Sequence, residues 1–142
     1  MNVTQLIRRL DVIDQETGLG LGVCSEDHRK RFPTIGLPES LTYLFTSHWP
    51  QLPGRAGIRG ARILSTAQMM SAENEVLIHF QLFKFGSTGC GDSVVVDLQS
   101  KSFEIKKLNY DYEFDGEDQV RKYLTTISKS FFEFLESTEP IY

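Results

Sequence analysis

The sequence predicts an α+β fold in which an antiparallel β-sheet is flanked by N-terminal and C-terminal helices within a single domain, residues 1–142. Three observations lead there. Apolar residues recur at helical spacing at the start of the chain, runs rich in β-branched and aromatic residues crowd its middle, and helical spacing returns near its end. Helices, then strands, then a helix is an α+β order rather than a repeated βαβ one.

Val3, Leu6, Ile7, Leu10 and Ile13 define the first amphipathic helix, which Gly18, Gly20 and Gly22 end. The GLGLG spacing differs from G-x-G-x-x-G and no strand precedes it, so it is read as a turn or irregular edge strand rather than a dinucleotide loop. Ser25 or Asp27 can serve as a helix cap in SEDHRKRF. Pro38 suits the start of the next helix, with Leu41, Leu44, Phe45 and His48 or Trp49 on one face and Pro50 as its stop. Tyr43, Phe45 and Trp49 are assigned to core packing in preference to a binding surface.

A Pro- and Gly-rich loop (50–60) leads into a strand at 61–64, and Ser65 caps one turn over TAQMM. Residues 76–85 carry apolar side chains on both parities and read as a strand buried on both faces. A second strand follows at 93–98. QSKS supplies a hairpin turn, and FEIKKL reads as a third strand with one wet side. From Gln119 onward, Val120, Tyr123, Leu124, Ile127, Phe131, Phe134 and Leu135 form one stripe of a terminal helix.

Composition excludes several classes. With 40% hydrophobic and 24% charged residues the chain is an ordinary globular one, and its 142 residues suffice for a core without disulfides or metal. The net charge of −4 is concentrated at the end: residues 109–142 hold eight acidic and three basic residues. Nucleic-acid affinity comes largely from Lys and Arg displacing counterions, so nucleic acid is not the expected partner and a basic protein is. No apolar run reaches the ~20 residues that span a bilayer, so no membrane partner is expected. MNVTQLIRRLDVID reads as a helix rather than a secretory leader, and two cysteines make no disulfide framework. Cytoplasmic localisation is the expectation.

Motifs of catalysis fail on spacing. FGSTGCGDS (85–93) gathers three glycines but lacks the Lys-Ser/Thr and following helix of a phosphate loop, and Cys90 has no histidine nearby in sequence. It reads as a structural turn in which Asp92 accepts bonds from neighbouring amides. DYEFDG imitates the start of a calcium loop, yet the twelfth position is Lys122 rather than Glu. His28, His48 and His79 are scattered, so no catalytic residue, cofactor site or metal site is assigned.

IGLPESLTYLF, FGSTGCGDSVVVDL and the terminal SFFEFLE stand in an order and spacing that resemble the SUKH superfamily over roughly residues 24–136. That superfamily groups cell-wall assembly regulator proteins with bacterial immunity proteins. Leu37 and Pro38 match its LP element, Gly89, Gly91 and Asp92 its glycine turn with GD, and Asp97 with Leu98 its DL. The resemblance implies an antiparallel sheet flanked by helices and a non-enzymatic role: binding and neutralising a cognate toxin domain of nuclease or deaminase type. Asp111, Glu113, Asp115, Glu117 and Asp118 are the candidate contacts to a basic toxin. A housekeeping interaction domain of the same fold is the alternative, and an enzyme or small-ligand protein using Cys90 and Asp92 is a third reading.

Overall fold

Asn2 opens the first helix, α1 (Val3–Thr17), by accepting from the Thr4 and Gln5 amides at 2.7 and 3.3 Å. Gly18, with φ 71, closes it in the left-handed region that glycine enters freely. The structure, a computed structural model, describes residues 2–54, 56–109 and 117–142, without the side chains of Glu117 and Asp118. Leu6, Leu10 and Ile13 form the buried stripe of α1, as their spacing predicts.

A two-residue strand β1 (Leu21–Gly22) follows, then α2 (Glu26–Arg31), capped by Ser25 and continued by a 3-10 turn over Phe32–Thr34. Pro38 stands at the N-cap of α3 (Glu39–Ser47). That helix is shorter than expected: β2 (Trp49–Pro50) pairs with β1, and the indole of Trp49 donates to the Leu64 carbonyl at 2.8 Å. Phe45 and Trp49 are fully buried, whereas Tyr43 is exposed and departs from the core assignment.

The loop expected at 50–60 contains β3 (Gly57–Ile58), and beyond it come β4 (Ala61–Ile63), α4 (Thr66–Met69) with Ser65 and Gln68 in a capping box, and α5 (Ala72–His79). The strand expected at 76–85 is therefore split. Ser71 caps α5, and the Asn74 side chain pairs with both the amide and the carbonyl of Lys84, at 2.8 and 3.0 Å. These bonds outweigh the β propensity of Val76 and Ile78, which tertiary context commonly overrides. The strand itself, β5 (Leu82–Ser87), starts after a turn in which Gln81 takes φ 59.

β6 (Ser93–Asp97) and β7 (Ile105–Leu108) follow, with Phe103 left in the preceding turn at φ 52 rather than in the expected third strand, but the terminal stripe does not form one helix. It divides into α6 (Glu117–Arg121), β8 (Leu124–Ser128) and α7 (Phe131–Glu136). The β-branched Thr125, Thr126 and Ile127 favour a strand, and Ser130 starts α7 afresh by accepting from the Glu133 amide. Val120 and Phe131 also end on opposite faces of the sheet, which one straight stripe cannot do.

Among the described residues the main sheet runs β3-β4-β5-β6-β7-β8, antiparallel throughout. Register assigns its faces: Phe83, Val96 and Ile105 lie in one cross-strand row, and Lys84, Val95 and Lys106 in the next. The first face meets α1, α3 and α7 in an aromatic core of Phe32, Phe45, Trp49, Phe85, Phe131 and Phe134. Its rings pack edge-on and tilted, as at Phe45–Trp49 (4.7 Å) and Phe85–Phe131 (5.3 Å). The second face holds a smaller cluster of Leu77, Leu82, Val95, Leu108 and Val120 under α5 and α6.

The two ends of the sheet are drawn together. Arg59, in the β3–β4 turn, donates from Nη1 to Ser128 Oγ at 3.4 Å and from Nε to the Glu139 carbonyl at 2.7 Å. Its guanidinium lies 5.2 Å from the Phe134 ring centre, and its own carbonyl accepts from the Ile141 amide at 2.7 Å. Burial pulls the Arg59 pKa below its ordinary value, and Glu139 opposes that shift.

Candidate interaction surface

The glycine turn between β5 and β6 is closed by its own backbone. The Thr88 amide donates to the Asp92 carbonyl at 2.9 Å, the Gly91 amide to the Thr88 carbonyl at 3.0 Å, and the Asp92 amide to Thr88 Oγ1 at 3.2 Å. Gly91 takes φ 91, which a side chain resists, while a Cβ on Gly89 would meet nothing within 4 Å. Only the second glycine of this pair is demanded by the turn. Cys90 stands exposed at the tip, whereas Asp92 is buried with its carboxylate 3.8 Å from Lys107 Nζ. The two side chains of the enzymatic reading therefore face different surroundings.

The strongest electrostatic arrangement lies at the other end of β6. Asp97 is buried, and its Oδ2 accepts from Lys106 Nζ at 2.7 Å and Arg121 Nη1 at 3.1 Å. Its Oδ1 accepts from Arg121 Nη2 at 3.1 Å and the Gln99 amide at 3.0 Å. Burial alone raises the pKa of Asp97; hydrogen bonds from Arg121, Lys106 and the Gln99 amide outweigh it and hold the carboxyl below its ordinary value. A planar guanidinium meeting a carboxylate through two bonds fixes direction as well as distance.

Arg121 is the last residue of α6, and its Nη2 also reaches the Phe80 carbonyl at 3.3 Å. One residue earlier, Val120 is fully buried in the second-face cluster. Together they fasten α6 to the sheet, and α6 is the C-terminal end of the acidic stretch. Of the predicted contacts, Asp111, Glu113 and Asp115 lie outside the described residues, and Glu117 and Asp118 are the first two residues of α6. The resembling elements are dispersed: Leu37 packs against the core, Pro38 starts α3, Gly89, Gly91 and Asp92 make the turn, and Asp97 anchors α6. Sequence reasoning missed Arg121 and Lys106. An aspartate closing a VVV run was the available signal, since a carboxylate at the end of a buried strand requires cations nearby.

No protein-family model, curated protein or solved structure matches the chain. Among the described residues no helix is long and apolar enough to cross a membrane.

Proposed function

We propose that the chain is a non-enzymatic protein-binding module of the immunity type, which neutralises a toxin domain of nuclease or deaminase class through its acidic 111–118 stretch. The observation that carries this reading is the fastening of α6. The negative surplus of the chain falls in the stretch that leads into this helix, and the Asp97–Arg121 pair with buried Val120 fixes where the stretch ends. A helix anchored before encounter, as α6 is, has less freedom to lose on binding, so more of the attraction of the charges it carries is retained. The SUKH-like order of LP, GD and DL elements supports the same reading. Enzymes that act on nucleic acid present basic substrate surfaces, which an acidic segment complements.

The test is co-expression with a toxin domain encoded in an adjacent reading frame. Restored growth, together with a complex that survives size-exclusion chromatography, is the expected outcome. Failure to restore growth at matched expression sinks the immunity reading, and recovery of a resident cellular protein instead supports the housekeeping alternative.

A further inference from the structure

A cavity of about 330 Å³ opens where three separate parts of the chain meet: the start of α3, the β6–β7 turn and the start of α7. Its apolar wall is built by Leu41, Phe103 and Phe131, of which Leu41 and Phe131 belong to the buried core. Phe103 lines it from a left-handed backbone, φ 52, which a bulky residue seldom adopts and which recurs at ligand clamps.

The polar lining is all capable of donating. Lys101 makes no ion pair or hydrogen bond among the described residues, and Ser40 and Ser102 likewise keep their hydroxyls uncommitted. Ser130 Oγ accepts from the Glu133 amide at 3.1 Å, which leaves its hydroxyl hydrogen to donate. Two of the nearby carboxylates are engaged elsewhere: Glu133 accepts from the Lys129 amide, and Glu104 lies 4.0 Å from Lys106 Nζ. Neither lines the cavity, nor does Glu39, which stands exposed between Pro38 and Ser40 at its rim, so Lys101 is the one charged residue of the lining.

We propose that this cavity binds a small amphipathic carboxylate, with the carboxylate on Lys101 and the serine hydroxyls and an aryl or short alkyl tail against Leu41, Phe103 and Phe131. A carboxylate only accepts hydrogen bonds and so uses every donor the lining offers. The volume, at the low end of the ~300–1,000 Å³ typical of ligand pockets, restricts the tail to a short one. This site is independent of the acidic stretch and of the reading built on it.

Phenylacetate is the probe, titrated into the isotope-labelled full chain and followed by amide chemical shifts. Saturable shifts confined to Leu41, Ser102, Phe103 and Phe131 and their neighbours are expected. Binding of 2-phenylethanol, which keeps the tail and lacks the charge, should be about tenfold weaker or worse, and 2-phenylethylamine should not bind. Lys101→Glu and Lys101→Gln should weaken phenylacetate by about tenfold with the rest of the spectrum unchanged, and Lys101→Arg should retain it. Absent or non-saturating shifts, equal binding of the alcohol or amine, or indifference to Lys101→Glu would each overturn the proposal.

Discussion

Arg121 grips Asp97 through two hydrogen bonds of 3.1 Å, one nitrogen to each carboxylate oxygen, and so ties α6 to the end of β6 across 24 residues of sequence. Lys106 completes the arrangement from the neighbouring strand. Asp97→Asn keeps the shape and removes the charge that both cations face. Breaking such a pair costs about 3–5 kcal/mol, and the partial exposure of Lys106 and Arg121 puts the expected loss at the lower end, read from urea unfolding at pH 7.

The same carboxylate gives that loss a pH signature. Its pKa in the folded state is depressed below the unfolded value of about 3.9, so its stabilisation is complete above that value and disappears as pH falls through the folded pKa. The stability gap between the wild type and Asp97→Asn should therefore be constant near neutrality and shrink in acid below about pH 4. A gap that stayed unchanged down to pH 2 would refute the role given to the pair.

Gly86 sits where the register of β5 against β6 slips, between Lys84 and Gly86. A Cβ there would lie 3.0 Å from the Arg62 carbonyl and 3.3 Å from Ile63 Cδ1, and the first of these is backbone that cannot swing aside. Gly86→Ala should destabilise by about 1–3 kcal/mol, measured as a lower urea midpoint with unchanged slope.

Much of this was legible in the sequence, and the misses share a cause. Leu6, Leu10 and Ile13 announce α1 because their spacing and burial agree, and FGSTGCGDS holds a turn because glycine has a specific conformational use, though its first three residues belong to β5 and its last to β6. The 76–85 segment misled because Asn74, whose side chain pairs with Lys84, lies ten residues from its partner and outside the apolar pattern. The 119–135 stripe misled because both faces of the sheet bury apolar residues, so Val120 and Phe131 share a periodicity without sharing a neighbour. Ion pairs such as Asp97–Arg121 depend on three-dimensional closure, and no local spacing encodes them.

Gln81 offers a stabilising change. It is an exposed residue with φ 59, in the turn between α5 and β5. Gln81→Gly relieves the left-handed penalty of ~1–2 kcal/mol and gives back part of it as unfolded-chain entropy. A net gain of about 0.5–1 kcal/mol is expected in thermal or urea unfolding.

Trp49 is the single tryptophan of the chain, fully buried among Phe45, Phe85 and Phe131 with its indole nitrogen bonded to Leu64. Its native fluorescence should be blue-shifted and move to the red on unfolding. Trp49→Phe leaves the part-buried Leu64 carbonyl without its donor and removes ring volume, so a loss of about 2–4 kcal/mol is expected.

For the proposed partner, replacing Asp111, Glu113, Asp115, Glu117 and Asp118 with Asn or Gln should slow association by about tenfold or more at low salt. The effect should fade as salt rises, because screening shortens the reach of the charges. Stopped-flow association against ionic strength measures both. An unchanged rate would place the contact elsewhere.

Arg59 and the Glu139 carbonyl are 80 residues apart, and Arg9 on α1 bonds the Leu135 carbonyl 126 residues later. While the chain is being translated, the β3–β4 turn and the first helix leave the ribosome long before the residues that hold them in place. Until the final segment emerges, Phe45, Trp49 and Phe85 lack the Phe131 and Phe134 rings that cover them, so the nascent chain presents aromatic surface to chaperones and to its own neighbours. Slower synthesis between residues 86 and 134 would lengthen that exposure without advancing the fold.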